Sequence, residues 1–121
     1  MLAGIAGVYG DAVAVGEVVE VTMERCAELP ARFIVEYPNS PHTTLRVVRS
    51  NTVSRGDGEL QGAEIENMEG AALFAMASAM VLNVMQIRAI SNRVGEEFAK
   101  WRINEALEAL AVALRNIERG E

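Results

Sequence analysis

The sequence predicts an α/β fold, a mixed sheet with flanking helices, and three observations carry that expectation. β-branched and glycine-dotted segments dominate the first half, a strand–helix–strand–helix order closes the second, and an amphipathic stripe marks the last helix. A chain of 121 residues, 50% of them hydrophobic, is expected to fold as one domain with a real core.

Leu2 to Tyr9 reads as a strand in which Gly4 and Gly7 admit close approach to the backbone. Gly10-Asp11 marks a turn, and Val15 to Thr22 is β-branched enough for a second strand. Met23 to Leu29 reads as a short helical turn stopped by Pro30, and Phe33 to Tyr37 as an edge strand. Pro38 to Pro41 is a loop, and Leu45 to Val53 another strand. Arg55 to Gly58 forms a turn or a linker, followed by a short strand over Ala63 to Asn67.

Gly70 to Leu82 is expected to be helical, with Leu73, Met76, Ala77 and Met80 on one face. Its other face carries Ala, Ser and Phe74, so this helix should be covered on both sides. Asn83 ends it, and Val84 to Ser91 reads as a strand. In the final helix Ile103, Leu107, Leu110, Ala111, Leu114 and Ile117 form the apolar stripe, and Gly120 stops it.

Charge and composition exclude several classes. The net charge is −6 with no basic cluster, which argues against nucleic acid as a partner. A single cysteine, Cys26, and a single histidine, His42, leave no internal disulfide and no His/Cys metal set. No cofactor is expected. Gly70 to Ile87 is uncharged and nearly long enough to span a membrane, yet Asn83, Gln86 and its alanine content favour a buried helix running into a buried strand. Without a basic n-region after Met1, and with no membrane partner, the expected location is cytoplasmic.

Two polar residues at the ends of apolar segments suggest a small-molecule site. Glu69 stands at a strand-to-helix junction, where free backbone N–H groups favour a carboxylate, and a carboxylate can accept both vicinal hydroxyls of a ribose. Met68 offers a soft apolar surface beside it. Asn92 follows the next strand, and its amide can both donate to and accept from a purine. The blander readings are a helix cap for Glu69 and a turn residue for Asn92. Arg88 in an apolar stretch needs an acidic partner, Glu66 or Glu69. His42 reads as a surface-loop residue without a positioned partner, and Cys26 as a small apolar filler. Trp101 either roofs the pocket or anchors the last helix, the second being preferred.

The run Ile65-Glu66-Asn67-Met68-Glu69-Gly70-Ala71-Ala72, followed by Gln86-Ile87-Arg88-Ala89-Ile90-Ser91-Asn92, resembles the purine nucleosidase and nucleoside phosphorylase superfamily, and within it the futalosine hydrolases. The related methylthioadenosine/S-adenosylhomocysteine nucleosidases share the Met-Glu pair but end the later motif in Asp, where this chain has Asn92. Gly4-Ile5-Ala6-Gly7 with Val15 to Val19, Asn51-Thr52-Val53-Ser54, and Val94-Gly95 with Trp101-Arg102-Ile103 resemble further family segments in the family's order.

The resemblance implies a partial nucleoside-phosphorylase-like fold and hydrolysis of a purine N-ribosyl bond, that of futalosine in menaquinone biosynthesis. Glu69 would hold the ribose hydroxyls, with Asn67 and Met68 beside it. Asn92 would bond the departing purine, Ala6 and Gly7 would flank the base, and Arg88 would support the set. The family's N-terminal portion, source of the water-activating Glu, has no counterpart here. Ser54 to Glu64 is shorter than the family's helix there, and Glu96 to Lys100 replaces a segment carrying Pro and Arg. The alternative is a shortened, non-catalytic derivative that binds a purine nucleoside or acts through self-association. Apolar surface left by the missing layer makes a homodimer the expected state.

Overall fold

The computed structural model describes residues 1–26, 28, 34–54 and 62–120. Its elements are β1 (Leu2–Val8), β2 (Val18–Cys26), β3 (Val35–Pro38), β4 (Arg46–Thr52), β5 (Ile65–Asn67), α1 (Gly70–Met80), β6 (Gln86–Arg93) and α2 (Ile103–Glu118), with a 3₁₀ turn at Phe98–Lys100 before α2. The expected α/β architecture with a mixed sheet and flanking helices is what forms.

The strands lie in the order β3-β2-β4-β5-β1-β6, and β6 also pairs with β2. Among the described residues β2, β4, β5, β1 and β6 therefore close into a ring, with β3 attached to β2 as the edge. Parallel pairings join β1 to β6, β2 to β4 and β4 to β5. Antiparallel ones join β1 to β5, β2 to β3 and β2 to β6. Closure removes open edges and encloses a side-chain core. That core contains Ala6, Val8, Val19, Val21, Val48, Ile65 and Ile90, and Phe74 of α1 joins it. A second cluster lies outside the ring, where Ala106 and Leu110 of α2 pack on Ile87 and Ala89 of β6.

Several boundaries differ from the sequence expectation. Met23–Cys26 continues β2 instead of forming a helical turn, because this stretch pairs with β3 on one side and β4 on the other. Cross-strand pairing overrides the weak local preference of Met-Glu-Arg-Cys. Leu29, Pro30, Phe33 and Arg55 to Gly58 lie outside the described residues. Strand β2 begins at Val18, and Val84 and Met85 precede β6, which runs past Ser91 to Arg93.

Helix α1 presents another face than expected, whereas α2 keeps most of its stripe inward, with Leu110, Leu114 and Ile117 in or against the second cluster. α1 buries Gly70, Ala71, Phe74 and Ala77, while Met76 and Met80 are 55% and 60% exposed. It is covered on one side only. An uncharged helix carries no marker of its solvent side, so periodicity alone could not choose the face. The helix ends at Val81 in the left-handed region (φ 54°), before Asn83, with the Leu82 N–H donating to the Ala77 carbonyl at 2.9 Å. In α2 the deepest residues are Ala106 and Leu110, whereas Ala111 is exposed. No helix among the described residues is long and apolar enough to cross a membrane.

Candidate functional site

The site is organised by a buried polar network where β5 turns into α1. Asn67, the last residue of β5, caps the helix: its Oδ1 accepts from the backbone N–H of Glu69 (2.9 Å) and Gly70 (2.7 Å). Thr52 Oγ1 accepts from the Ala71 N–H at 2.9 Å. Three helix-start donors, the N–H groups of Glu69, Gly70 and Ala71, are thus taken by side chains other than Glu69. The Glu69 carboxylate instead accepts from Arg88 Nη1 at 2.7 Å.

Arg88 is fully buried, not partly so, and each guanidinium nitrogen has an acceptor. Nε donates to Gln86 Oε1 (2.9 Å), Nη1 also to the Ile5 carbonyl (3.2 Å), and Nη2 to Asn67 Oδ1 (3.3 Å). Of its two expected partners, Glu69 is the one in an ion pair with it. Behind the amides lies Glu24, entirely buried on β2. It accepts from Asn67 Nδ2 (2.7 Å), Gln86 Nε2 (3.2 Å) and Thr52 Oγ1 (2.7 Å). Burial pushes the Glu24 carboxyl above its ordinary value, and these hydrogen bonds hold it back.

Two glycines make the network possible. A Cβ on Gly70 would overlap the Glu24 carboxylate, and one on Gly4 would stand 2.7 Å from Arg88 Nη1. Sequence reasoning did not find Glu24 or Gln86. Their signal was a charged or amide side chain inside strands otherwise rich in Val and Ile, which demands a buried partner.

Asn92 reaches the site through a register shift. Between Ala6 and Gly7, the pairing of β1 steps from Ile90 to Asn92, a bulge that leaves Ser91 extra. Strict alternation would turn Asn92 inward with Arg88 and Ile90. The bulge turns it outward with Gly7. Ser91 Oγ donates to Asn92 Oδ1 at 2.8 Å, and Asn92 Nδ2 donates to the Arg93 carbonyl at 3.0 Å. A Cβ on Gly7 would come within 3.2 Å of that nitrogen.

These residues open on one cleft of about 400 Å³, in the size range of small-molecule pockets. Ala6, Gly7, Asn67, Met68, Glu69, Arg88 and Asn92, the full set singled out from the sequence, all line it. Asn67 does so with its side-chain amide already engaged by the cap and by Glu24. Val53, Glu66, Ser91 and Leu107 also line it, as does Trp101. Trp101 packs on Phe98 (ring centroids 5.0 Å apart) and donates from Nε1 to the Glu96 carbonyl, so it borders the cleft besides preceding α2.

Glu66 belongs to a second polar group on the cleft side of the sheet. Asn51 Nδ2 donates to the Tyr9 hydroxyl at 3.2 Å, and Tyr9 is hydrogen-bonded in turn to Glu66. Burial raises the Tyr9 phenol above its ordinary pKa, the Asn51 bond opposes this, and Glu66 adds to the rise. Away from the cleft, His42 does have a partner: buried Glu20 accepts from the His42 and Thr43 backbone N–H groups, with His42 Nδ1 3.5 Å from Glu20 Oε2. Cys26 is half-buried at the end of β2.

The chain is similar to futalosine hydrolases of Thermus thermophilus (46% identity over 57 residues, 46% of this chain and 25% of the relative) and Streptomyces coelicolor (46% over 54 residues, 44% and 23%). The matched segment thus spans about a quarter of these curated relatives. Its fold is similar to that of an MTAN variant from Chlamydia trachomatis bound to MTA, with a TM-score of 0.82 at 21% identity, covering 98% of this chain and 63% of that one. It is also similar to the 5′-methylthioadenosine/S-adenosyl homocysteine nucleosidase of Campylobacter jejuni, with a TM-score of 0.71 at 16% identity, covering 97% and 67%. At such identity these structures speak for the fold alone. Residues 42–118 match the sequence model of the phosphorylase superfamily, and the chain belongs to that family.

Proposed function

We propose that this chain carries the nucleoside site of a futalosine-hydrolase-like purine nucleosidase, which releases hypoxanthine from futalosine in menaquinone biosynthesis. One observation carries the reading: Glu69 and Asn92, from different elements, line a single cleft together with Met68, Ala6 and Gly7. Glu69, held by Arg88, accepts the ribose hydroxyls. Met68 packs on the sugar, and the base lies against Ala6 and Gly7. Cleavage gives the ribose oxocarbenium character and the purine negative charge. Asn92 answers that charge with a preorganised hydrogen bond, a smaller contribution than full protonation. Water is the nucleophile, and no cofactor takes part. The protein acts in the cytoplasm, and it pairs into a homodimer through exposed apolar residues such as Met76, Met80 and Phe98.

A second reading, a non-catalytic binder of purine nucleosides, is favoured by the engagement of both cleft carboxylates, Glu69 by Arg88 and Glu66 by Tyr9. Incubation with futalosine and with methylthioadenosine separates the two. Hypoxanthine released from futalosine, and lost in Glu69→Ala, supports the hydrolase. Saturable binding without release supports the second reading, and neither release nor binding contradicts both.

A further inference from the structure

Glu24 is fully buried on β2 and does not line the cleft, yet a chain of hydrogen bonds joins it to Glu69, which does. A buried carboxylate is costly, and packing alone would be served better by an apolar residue in a strand rich in valine. Its Oε1 accepts from Gln86 Nε2 at 3.2 Å and from Asn67 Nδ2 at 2.7 Å. The opposite ends of the same two amides face Arg88. Gln86 Oε1 accepts from Arg88 Nε at 2.9 Å, and Asn67 Oδ1 accepts from Nη2 at 3.3 Å. Arg88 Nη1 then meets Glu69 at 2.7 Å.

A side-chain amide has a donor end and an acceptor end, and what faces each end decides which way it turns. Turned the other way, Gln86 would set its NH₂ group against a guanidinium that has donors only. Asn67 has further restraints: its Oδ1 also takes the N–H groups of Glu69 and Gly70, and its Nδ2 also donates to Ser50 Oγ at 2.6 Å. Gln86 has fewer. Among the described residues, Glu24 is what fixes its donor end. Glu24 is itself seated, because Thr52 Oγ1 donates to its Oε2 at 2.7 Å and Gly70 lacks the Cβ that would overlap its Oε1.

Building on the ribose reading above, we infer that Glu24 is a positioning residue for the nucleoside site: it turns the Gln86 amide so that Arg88 is held, and Arg88 aims Glu69 at the ribose hydroxyls. The relay needs an acceptor oxygen at the place of Oε1, and a neutral amide supplies one as well as a carboxylate does. Without it Arg88 Nε loses its fixed acceptor and the Glu69 carboxylate its fixed direction. The share of affinity that depends on the hydroxyls then falls about tenfold. The base end, at Ala6, Gly7 and Asn92, is held by β1 and β6 and does not depend on the relay.

The test titrates inosine, 2′,3′-dideoxyinosine and hypoxanthine into the full chain and follows the fluorescence of Trp101, the protein's single tryptophan, which borders the cleft. The unaltered protein should prefer inosine to the dideoxy compound about tenfold or more. In Glu24→Met, folded by circular dichroism, that preference should collapse towards one while hypoxanthine binds as before. Glu24→Gln should restore it. A folded Glu24→Met protein that keeps the preference overturns the inference and leaves the ribose reading standing. So does one that loses hypoxanthine as well, the mark of a purely structural role, and so does a Glu24→Gln protein that fails to restore the preference. If Glu24→Met does not fold, Gln86→Met cuts the same relay one step nearer Arg88 and is judged by the same two readouts. No preference for inosine in the unaltered protein, or no saturable binding, overturns the ribose reading and this inference with it.

Discussion

Arg88 Nη1 and Glu69 Oε1 stand 2.7 Å apart, yet the arginine side chain is 1% exposed and the glutamate 53%. The pair therefore spans the boundary between the interior and the cleft. The buried cation is fixed by Gln86, Asn67 and a backbone carbonyl, and it aims a half-exposed carboxylate at whatever enters. Removing Arg88 leaves Gln86 Oε1 without its donor and takes one of three donors from Asn67 Oδ1. Arg88→Met should lower unfolding stability by about 3 kcal/mol, in the range of broken buried pairs. Glu69→Ala should cost less, about 1–2 kcal/mol, because solvent screens its side of the pair. Chemical denaturation of both variants measures the asymmetry, and equal losses would contradict it.

Gly70 poses a contest between two effects. Alanine is the better helix former by about 1 kcal/mol. Its Cβ at this position overlaps the Glu24 carboxylate and approaches Gln86 Oε1 to 2.8 Å, and neither group can retreat from the network. Overpacking of this kind costs about 1–3 kcal/mol, so Gly70→Ala should destabilise. A rise in the melting temperature would show that the network yields.

Val81 offers the opposite case. It is 92% exposed and sits at φ 54°, where a β-branched residue is strained and glycine is not. Val81→Gly should stabilise by roughly 1 kcal/mol, read from denaturant midpoints. A loss would indicate that the valine has a contact absent from the single chain.

The Glu24 carboxyl, raised from its ordinary 4.5 by burial, gives a pH dependence of defined sign. A group held above its unfolded value contributes stability that is complete below that value and is lost as pH rises through the folded one. The unaltered protein should therefore lose stability relative to Glu24→Gln as pH rises from 4.5 through the raised folded pKa. Melting temperatures of the two proteins across that window test this, and parallel curves would contradict it.

Much of this architecture was legible in the sequence, for identifiable reasons. Strands β1, β4 and β5 and helix α2 announced themselves by β-branched runs, turn residues or a stripe that left one face polar. Residues Met23–Cys26 did not, because their strand is imposed by neighbours on both sides. α1 was recognised as a helix but not oriented, since an uncharged Ala/Met segment offers no contrast between faces. Within the site, Glu69, Met68 and Asn92 stood out as polar or soft residues where apolar segments end. Glu24 and Gln86 stayed hidden because a buried network depends on partners far apart in sequence. The bulge at Ser91 was also invisible, yet it decides which way Asn92 points.

The central claim is that Glu69 grips a ribose in this cleft. It is tested most directly by comparing the affinities of inosine and 2′,3′-dideoxyinosine, which differ only in the two hydroxyls, for the unaltered chain and for Glu69→Ala. The account predicts a loss of about tenfold or more for the dideoxy compound with the unaltered chain, and near-equal weak binding of both by the variant. Equal affinity of the two ligands for the unaltered chain would contradict it.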